Sequence, residues 1–413
     1  MLAVQIVRNH RVEKNNTRRL DEKERLKVSL FRSFMTISMG MFAVFPVRAF
    51  GPETLVAAGI DHTIVIIAQG RLMGSGSNQH GQLGVSSGSG KAYYAIPAGG
   101  GLSDIRKVSA GCEYNLALDG QARVWSWGRN ETFQLGHGLR SQAVPRQLEY
   151  LPESVVDIAA GCSFGMALDA DGNLWAWGEN RFGELGDGYI DKRYIPWPVL
   201  QNVKTMAGGY DHGLAVLSDG MVMAWGRNDD GRLGDGGWDI QLKPVAVKDL
   251  TNVIEVAAGA EHSLALDADG RVWSWGEGDT ARLGNGSGED RNFPVQVQGL
   301  PTIQQISIGN SHNLALDHTG RVWVWGANDF GQAGTGTSER LIIEPRMLAT
   351  PEDVVMVASG ASISFAVARD GVVWGWGTGE AGELGNGGSG TQTTPLPMIG
   401  VKADVSLLGT GKL

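Results

Sequence analysis

The chain has 413 residues, with 61 Gly and 13 Trp but only 14 Pro, a composition of tight turns and aromatic packing that excludes a disordered or collagen-like tract. Its formal charge of −9 is uneven: residues 1–49 hold ten Lys and Arg against four acids, net +6, which leaves −15 for the rest. Such a body repels phosphate, so neither nucleic acid nor an anionic membrane surface is expected as a partner of the folded part.

At the start of the chain, Arg25, Lys27 and Arg32 precede an apolar run from Phe34 to Val47. Val47 and Ala49 then suit the small-residue positions of a signal-peptidase site. Residues 1–49 are therefore expected to be a signal peptide or a disordered targeting segment, with residues 50–413 as the folded domain. A secreted or periplasmic location follows. The run is too short to span a bilayer, and no later stretch approaches the roughly 18 apolar residues a spanning helix needs. Arg18-Arg19 is followed by acids rather than an apolar run, which argues against a twin-arginine signal.

From residue 55 onward one block recurs. Its clearest copy is Ala258-Gly259-Ala260-Glu261-His262-Ser263-Leu264-Ala265-Leu266-Asp267-Ala268-Asp269-Gly270-Arg271-Val272-Trp273-Ser274-Trp275-Gly276. The closing glycine lies at 76, 128, 178, 226, 276, 326 and 377, a spacing of 48 to 52 residues with no room for an inserted domain. Leu264 and Leu266 alternate with Ala265, and Trp273 and Trp275 with Ser274, so both segments read as strands joined by the Asp-x-Asp-Gly hairpin. A third strand is expected at Pro294–Val297 and a fourth at Ile306–Gly309. Four antiparallel strands in each of seven units make an all-β, seven-bladed β-propeller. Eleven of the 13 tryptophans occupy the Trp-x-Trp-Gly positions as packing between blades. Met73 and Ser75 replace the pair in the first repeat and Met223 replaces one in the fourth, so those blades are expected to be the loosest.

Ala-Gly-x-x-His-Ser-Leu-Ala-Leu, then Asp-Gly-x-Val-Trp-x-Trp-Gly, then Asn-x-x-Gly-x-Leu-Gly resembles the regulator of chromosome condensation repeat family over roughly residues 55 to 408. The resemblance implies a seven-bladed propeller, and the family's founding member is an exchange factor for the GTPase Ran. Secreted bacterial β-lactamase-inhibitor propellers are similar in blade number and Trp-Gly repeats.

Catalytic motifs are discounted. Gly84-Val85-Ser86-Ser87-Gly88 matches a nucleophile elbow in letters but lies in a polar loop. Gly385-Asn386-Gly387-Gly388-Ser389-Gly390 has no following helix to hold a pyrophosphate. His62, His212, His262 and His312 share one repeat position, which a metal could in principle use. Tyr114, Phe164 and Ile363 stand there in the other repeats, so packing is the expected role. No metal, no cofactor and no enzymatic activity are expected.

Cys112 and Cys162 hold equivalent positions just after Ala-Gly in adjacent repeats. Near the central channel, neighbouring blades bring such positions to about 6 Å, within reach of a disulfide; two buried thiols are the alternative. Val405-Ser406-Leu407-Leu408-Gly409 and Leu55-Val56-Ala57-Ala58-Gly59 give eight copies of the pre-Ala-Gly strand for seven blades, so one is redundant or the two share a blade.

Because antiparallel strands alternate in direction, the Gly-x-x-His turns and the long connections after Trp-x-Trp-Gly share one face of the ring. The Asp-Gly hairpins and Leu-Pro links share the other. The long connections vary most and carry Tyr189, Arg193, Tyr194, Trp238, Arg291, Phe293 and Arg340 outside the packing positions, which makes these the candidate partner-binding residues. The expected function is a monomeric, non-enzymatic protein that binds a macromolecular partner, a protein before anything else. The alternatives are guanine-nucleotide exchange on a small GTPase and a polysaccharide-active hydrolase or lyase.

Overall fold

The computed structural model describes residues 54–86, 90–138 and 140–408. The expected export segment lies outside them. The described residues form seven four-stranded antiparallel sheets, each built from consecutive strands, and the architecture is the seven-bladed propeller read from the repeat. Blade 5 shows the pattern: Val253–Ala258 innermost, then His262–Asp267, Val272–Gly276 and Arg291–Gln296 at the rim. The innermost strands line a central channel.

One sequence expectation is corrected here. Ile303–Ile308 does not complete the blade that begins at His262; it pairs with His312–Asp317 and is the innermost strand of blade 6. Alternating hydrophobicity identified the strand correctly but carries no information about which sheet it joins. The Val297–Thr302 link leads from the rim of one blade to the axis of the next.

Adjacent blades are joined by a repeated hydrogen-bond network centred on the second tryptophan. Trp275 is fully buried, and its Nε1 donates to the Arg232 carbonyl of blade 4 at 2.8 Å. Trp127, Trp177, Trp225, Trp325 and Trp376 repeat the contact on Gln82, Gln134, Glu184, Arg282 and Gln332. In four seams the same carbonyl takes a second donor: Asn115, Ser263, Asn313 or Ser364. Those side chains in turn meet His62, His212, His262 and His312 of the preceding blade at 2.8–3.0 Å. Ser263 Oγ spends its proton on the Arg232 carbonyl and so accepts from His212 Nε2, which fixes the neutral tautomer. Blade 1 lacks the tryptophan, yet Ser75 Oγ donates to the Glu383 carbonyl of blade 7 at 3.0 Å and closes the ring with an equivalent contact.

Two glycines are fixed by this closeness. A Cβ on Gly259 would meet the Gly309 carbonyl at 2.7 Å. Gly276 has φ +105° and would bring a Cβ to 2.5 Å from the Glu261 carbonyl. The glycines that phase the repeat are therefore required by backbone conformation and by blade contact.

Of the two sequence alternatives, the chain ends follow the first: one copy is redundant as a strand. Val56–Ala58 forms the innermost strand of blade 1, whereas Val405–Leu407 is a short 3-10 helix. With the inner slot already filled, the C-terminal copy folds over the seam. Ala403 bridges Ile67, Asp404 N–H donates to the Ile66 carbonyl at 3.0 Å, and Leu408 is buried in the cluster containing Leu55 and Val56. Each rim strand also carries a proline, such as Pro145, Pro244, Pro294 and Pro345, which removes a backbone donor from an otherwise open edge.

The buried histidines give the ring an acid limit. Burial holds His212 and His262 well below the usual imidazole range, lowers His62, and brings His312 to about 4. A group neutral in the fold but free to protonate in the unfolded chain stabilises above about pH 6.5, and that contribution is lost as pH falls toward the folded value. For His312 it is on the order of 3 kcal/mol. Glu184 and Glu277, pushed up to about 7 by burial, act in the opposite sense: their contribution is complete at low pH and lost as pH rises through 7. Glu383 is raised by burial in the same sense, and the four imidazoles, all lowered by burial, are taken to outweigh these carboxyls. The urea midpoint is therefore expected to fall between pH 6.5 and pH 4, and less steeply in His312→Phe, which installs the residue that Phe164 supplies in blade 3. Equal slopes for the two proteins would contradict this.

Candidate functional site

Most polar residues of the repeat are already committed to holding turns. Asp267 Oδ1 accepts the N–H groups of Asp269 and Arg271, and its Oδ2 accepts Trp273 Nε1 at 3.0 Å. Burial would raise this carboxyl, but those donors outweigh it and hold the group below its ordinary range. Asp119, Asp169 and Asp317 bind Trp125, Trp175 and Trp323 in the same way. In the long connections, Asn78, Asn130, Asn180, Asn228 and Asn328 each accept the backbone N–H five residues on. Among the described residues no group of three His, Cys, Asp or Glu is placed to hold a metal.

On the face built by the Gly-x-x-His turns and the long connections, Tyr189, Trp238 and Phe330 stand exposed. Around the channel mouth, backbone N–H groups donate from blade to blade: Ile60 to Cys112, Cys112 to Cys162, Cys162 to Gly209, Tyr210 to Gly259, Asn310 to Ala361 and Ala361 to Gly59. Cys112 and Cys162 are joined in a disulfide on this ring, with Cα atoms 4.5 Å apart. Denatured, unreduced protein is expected to titrate no free thiol; two thiols per chain would contradict the bond.

Electrostatically this face is acidic. Its turns and long connections carry 21 acids against eight Lys and Arg, net −13. Several acids surround buried guanidinium groups. Arg282 pairs with Glu261 at 2.8 Å and with Glu277, and Arg232 pairs with Asp230 and donates to the Ala260 carbonyl at 2.8 Å.

The candidate binding residues fall into separate groups. In blade 3, Arg193 is bonded to Asp187 at 2.7 Å and stacks over Tyr189 and Trp197 at 5.6 and 4.7 Å. Its guanidinium is committed inside its own loop, whereas Tyr189 is 61% exposed. Tyr194 packs on Phe133 of blade 2, ring centroids 4.2 Å apart, and keeps an exposed edge. Trp238 of blade 4 and Phe293 of blade 5 come to one sector, because Gly236 and Asn292 exchange two hydrogen bonds of 2.8 Å. Arg291 pairs with Glu289. Arg340 stands apart on blade 6, exposed and paired with Asp329. Sequence reading missed Phe182, which lies between Arg181 at 4.4 Å and Arg227 at 5.1 Å. The available signal was the third position of Asn-x-x-Gly, where Phe182 and Phe330 replace the polar or small residues of other blades.

Comparison with known proteins agrees with this geometry. The RCC1-like domain model matches residues 49–304, and regulator of chromosome condensation (RCC1) repeat models match residues 303–332 and 319–367. Similar stretches occur in the human probable E3 ubiquitin-protein ligase HERC6, 38% identical over 106 residues, 24% of this chain and 10% of that one. The bovine secretion-regulating guanine nucleotide exchange factor is 33% identical over 106 residues, 25% of this chain and 23% of that protein. The chain thus spans less than a quarter of the length of either relative. Prp20p of Saccharomyces cerevisiae, described with its binding to Gsp1p and histones, superposes with a TM-score of 0.72 at 25% identity, covering 84% of this chain and 87% of the other. With more than half of the chain matched by one family model and seven blades built on the repeat, the protein belongs to the RCC1-like domain family.

Proposed function

We propose that this chain is a non-enzymatic binding protein that engages a protein partner through the long connections on one face of its ring, outside the cytoplasm. One observation carries the reading: the repeat's own polar groups are used up in turns and blade seams, while Tyr189, Tyr194, Trp238 and Phe293 remain exposed on the loop face. Tyr and Trp on a rigid scaffold are the residue types that most often anchor protein interfaces. The Cys112–Cys162 disulfide supports an oxidising compartment, and cleavage after Ala49 would release the domain there. Capture of partners from culture medium or periplasmic extract on the immobilised mature domain, read by mass spectrometry, is expected to return one dominant extracellular protein. A scatter of unrelated proteins, or an intact Met1 in the cytosolic fraction, would contradict the reading.

Nucleotide exchange is the second reading, favoured by the likeness to the bovine exchange factor and to Prp20p. Accelerated release of a fluorescent guanine nucleotide from a Ran-type GTPase would establish it in place of the first.

A further inference from the structure

The charge of the loop face is concentrated on two neighbouring blades. The turns and long connections of blades 4 and 5 hold ten acids against three bases, more than half of the face's net negative charge. All three bases are internally engaged: Arg227 with Asp229 and Asp211, Arg232 with Asp230, and Arg282 with Glu261 and Glu277. Among the acids, Asp235 accepts the Gly237 N–H and Asp290 the Gly278 N–H, so these two shape their loops. Asp239 and Glu289 are exposed beyond them, Glu289 sharing its charge with Arg291.

The same sector exposes apolar surface. Trp238 and Ile240 on the blade 4 connection are 49% and 46% exposed, and Phe293 on the rim strand of blade 5 is 44% exposed. The paired hydrogen bonds between Gly236 and Asn292 tie the two segments together, so the aromatics sit on fixed backbone. Asp239 follows Trp238 directly, and Glu289 and Asp290 precede Phe293 by three or four residues. An exposed indole beside a carboxylate suits a cation on an apolar stem: the ring attracts the charge and covers the methylenes, and the carboxylate completes the pairing. An acidic or purely apolar ligand would leave those carboxylates facing like charge or deprived of water.

We infer that blades 4 and 5 form the docking site for a Lys- or Arg-rich segment of the partner, with Trp238 and Phe293 receiving the side-chain stems and Asp239 and Glu289 the charges. The inference rests on the loop-face reading above and names the chemistry of what binds there.

A labelled peptide of alternating Lys and Ala and its Glu-Ala counterpart, titrated into the full chain, test it. The Lys peptide is expected to bind and the Glu peptide not to. Binding should weaken when salt is raised from about 0.01 M to about 0.15 M, over which the screening length falls from about 30 to about 8 Å. Asp239→Lys with Glu289→Lys should lose about tenfold or more in affinity, and Trp238→Ala about fivefold. The milder pair Asp239→Asn with Glu289→Gln should show a smaller loss in the same direction. Asp104→Lys on the opposite face should change nothing. Equal binding of both peptides, or a loss caused equally by Asp104→Lys, would overturn the inference. If the natural partner's capture falls with Trp238→Ala but ignores salt and both charge variants, the loop-face reading stands and the cationic partner does not. If capture ignores every one of these changes, both fail.

Discussion

Trp275→Ala is expected to destabilise the ring by about 3–5 kcal/mol, the range for removing a fully buried large aromatic. The side chain starts on blade 5 but packs into the core of blade 4, among Leu214, Val222, Leu233 and Val247. Truncation opens a cavity at the seam and leaves the Arg232 carbonyl with Ser263 as its remaining side-chain donor. Trp275→Phe separates the two effects. It keeps most of the apolar contact and removes the indole N–H, so a smaller loss of about 1–3 kcal/mol is expected. Urea denaturation followed by far-ultraviolet circular dichroism measures both. In a ring of repeats the transition need not be two-state, and early loss of blades 4 and 5 ahead of the others would locate the defect at their seam. A loss below about 1 kcal/mol for Trp275→Ala would contradict the assignment of this residue as the blade lock.

Ending the chain after Lys402 is expected to cost about 3–5 kcal/mol, because it removes buried Leu408 together with two backbone hydrogen bonds that cross or brace the closing seam. Ala403 N–H donates to the Gly371 carbonyl at 2.8 Å and Asp404 N–H to Ile66 of blade 1 at 3.0 Å. The rim strand Gln392–Lys402 is left intact, so blade 7 keeps its four strands. For a domain of this size the loss corresponds to a fall in melting temperature of about 4–7 °C. Leu408→Ala should reproduce most of it. An unchanged melting curve would mean that Val56–Ala58 and the Ser75–Glu383 contact close the ring unaided.

The seven units, their strands and the packing role of Trp-x-Trp-Gly were legible because period-two alternation and a fixed spacing survive in every repeat. Strand membership was not. Ile303–Ile308 looks the same whether it ends one blade or begins the next, and only the direction of the Val297–Thr302 link decides. The fate of Val405–Leu407 depended on competition for a slot that Val56–Ala58 already fills, which no local pattern records. Of the candidate residues, Tyr189, Trp238 and Phe293 stand exposed, as expected of side chains outside the packing pattern. Arg193 is held in its own loop, since Asp187 and Trp197 flank it in the fold. The histidines' variation to Tyr, Phe and Ile pointed to packing. The chain of bonds from His262 through Asn313 to the Arg282 carbonyl crosses a seam between residues far apart in sequence, so it was visible only in three dimensions.

The claim that the loop face binds a protein is tested most directly by measuring the captured partner's affinity for two sets of variants. Trp238→Ala and Tyr189→Ala alter the loop face, and Asp104→Lys and Asp370→Lys alter the hairpin face. Melting curves of all four serve as controls. The expected result is a loss of more than about 1 kcal/mol in binding for each loop-face variant with unchanged melting, and full binding by both hairpin-face variants. Binding that survives both loop-face substitutions and is lost with Asp104→Lys or Asp370→Lys would contradict it.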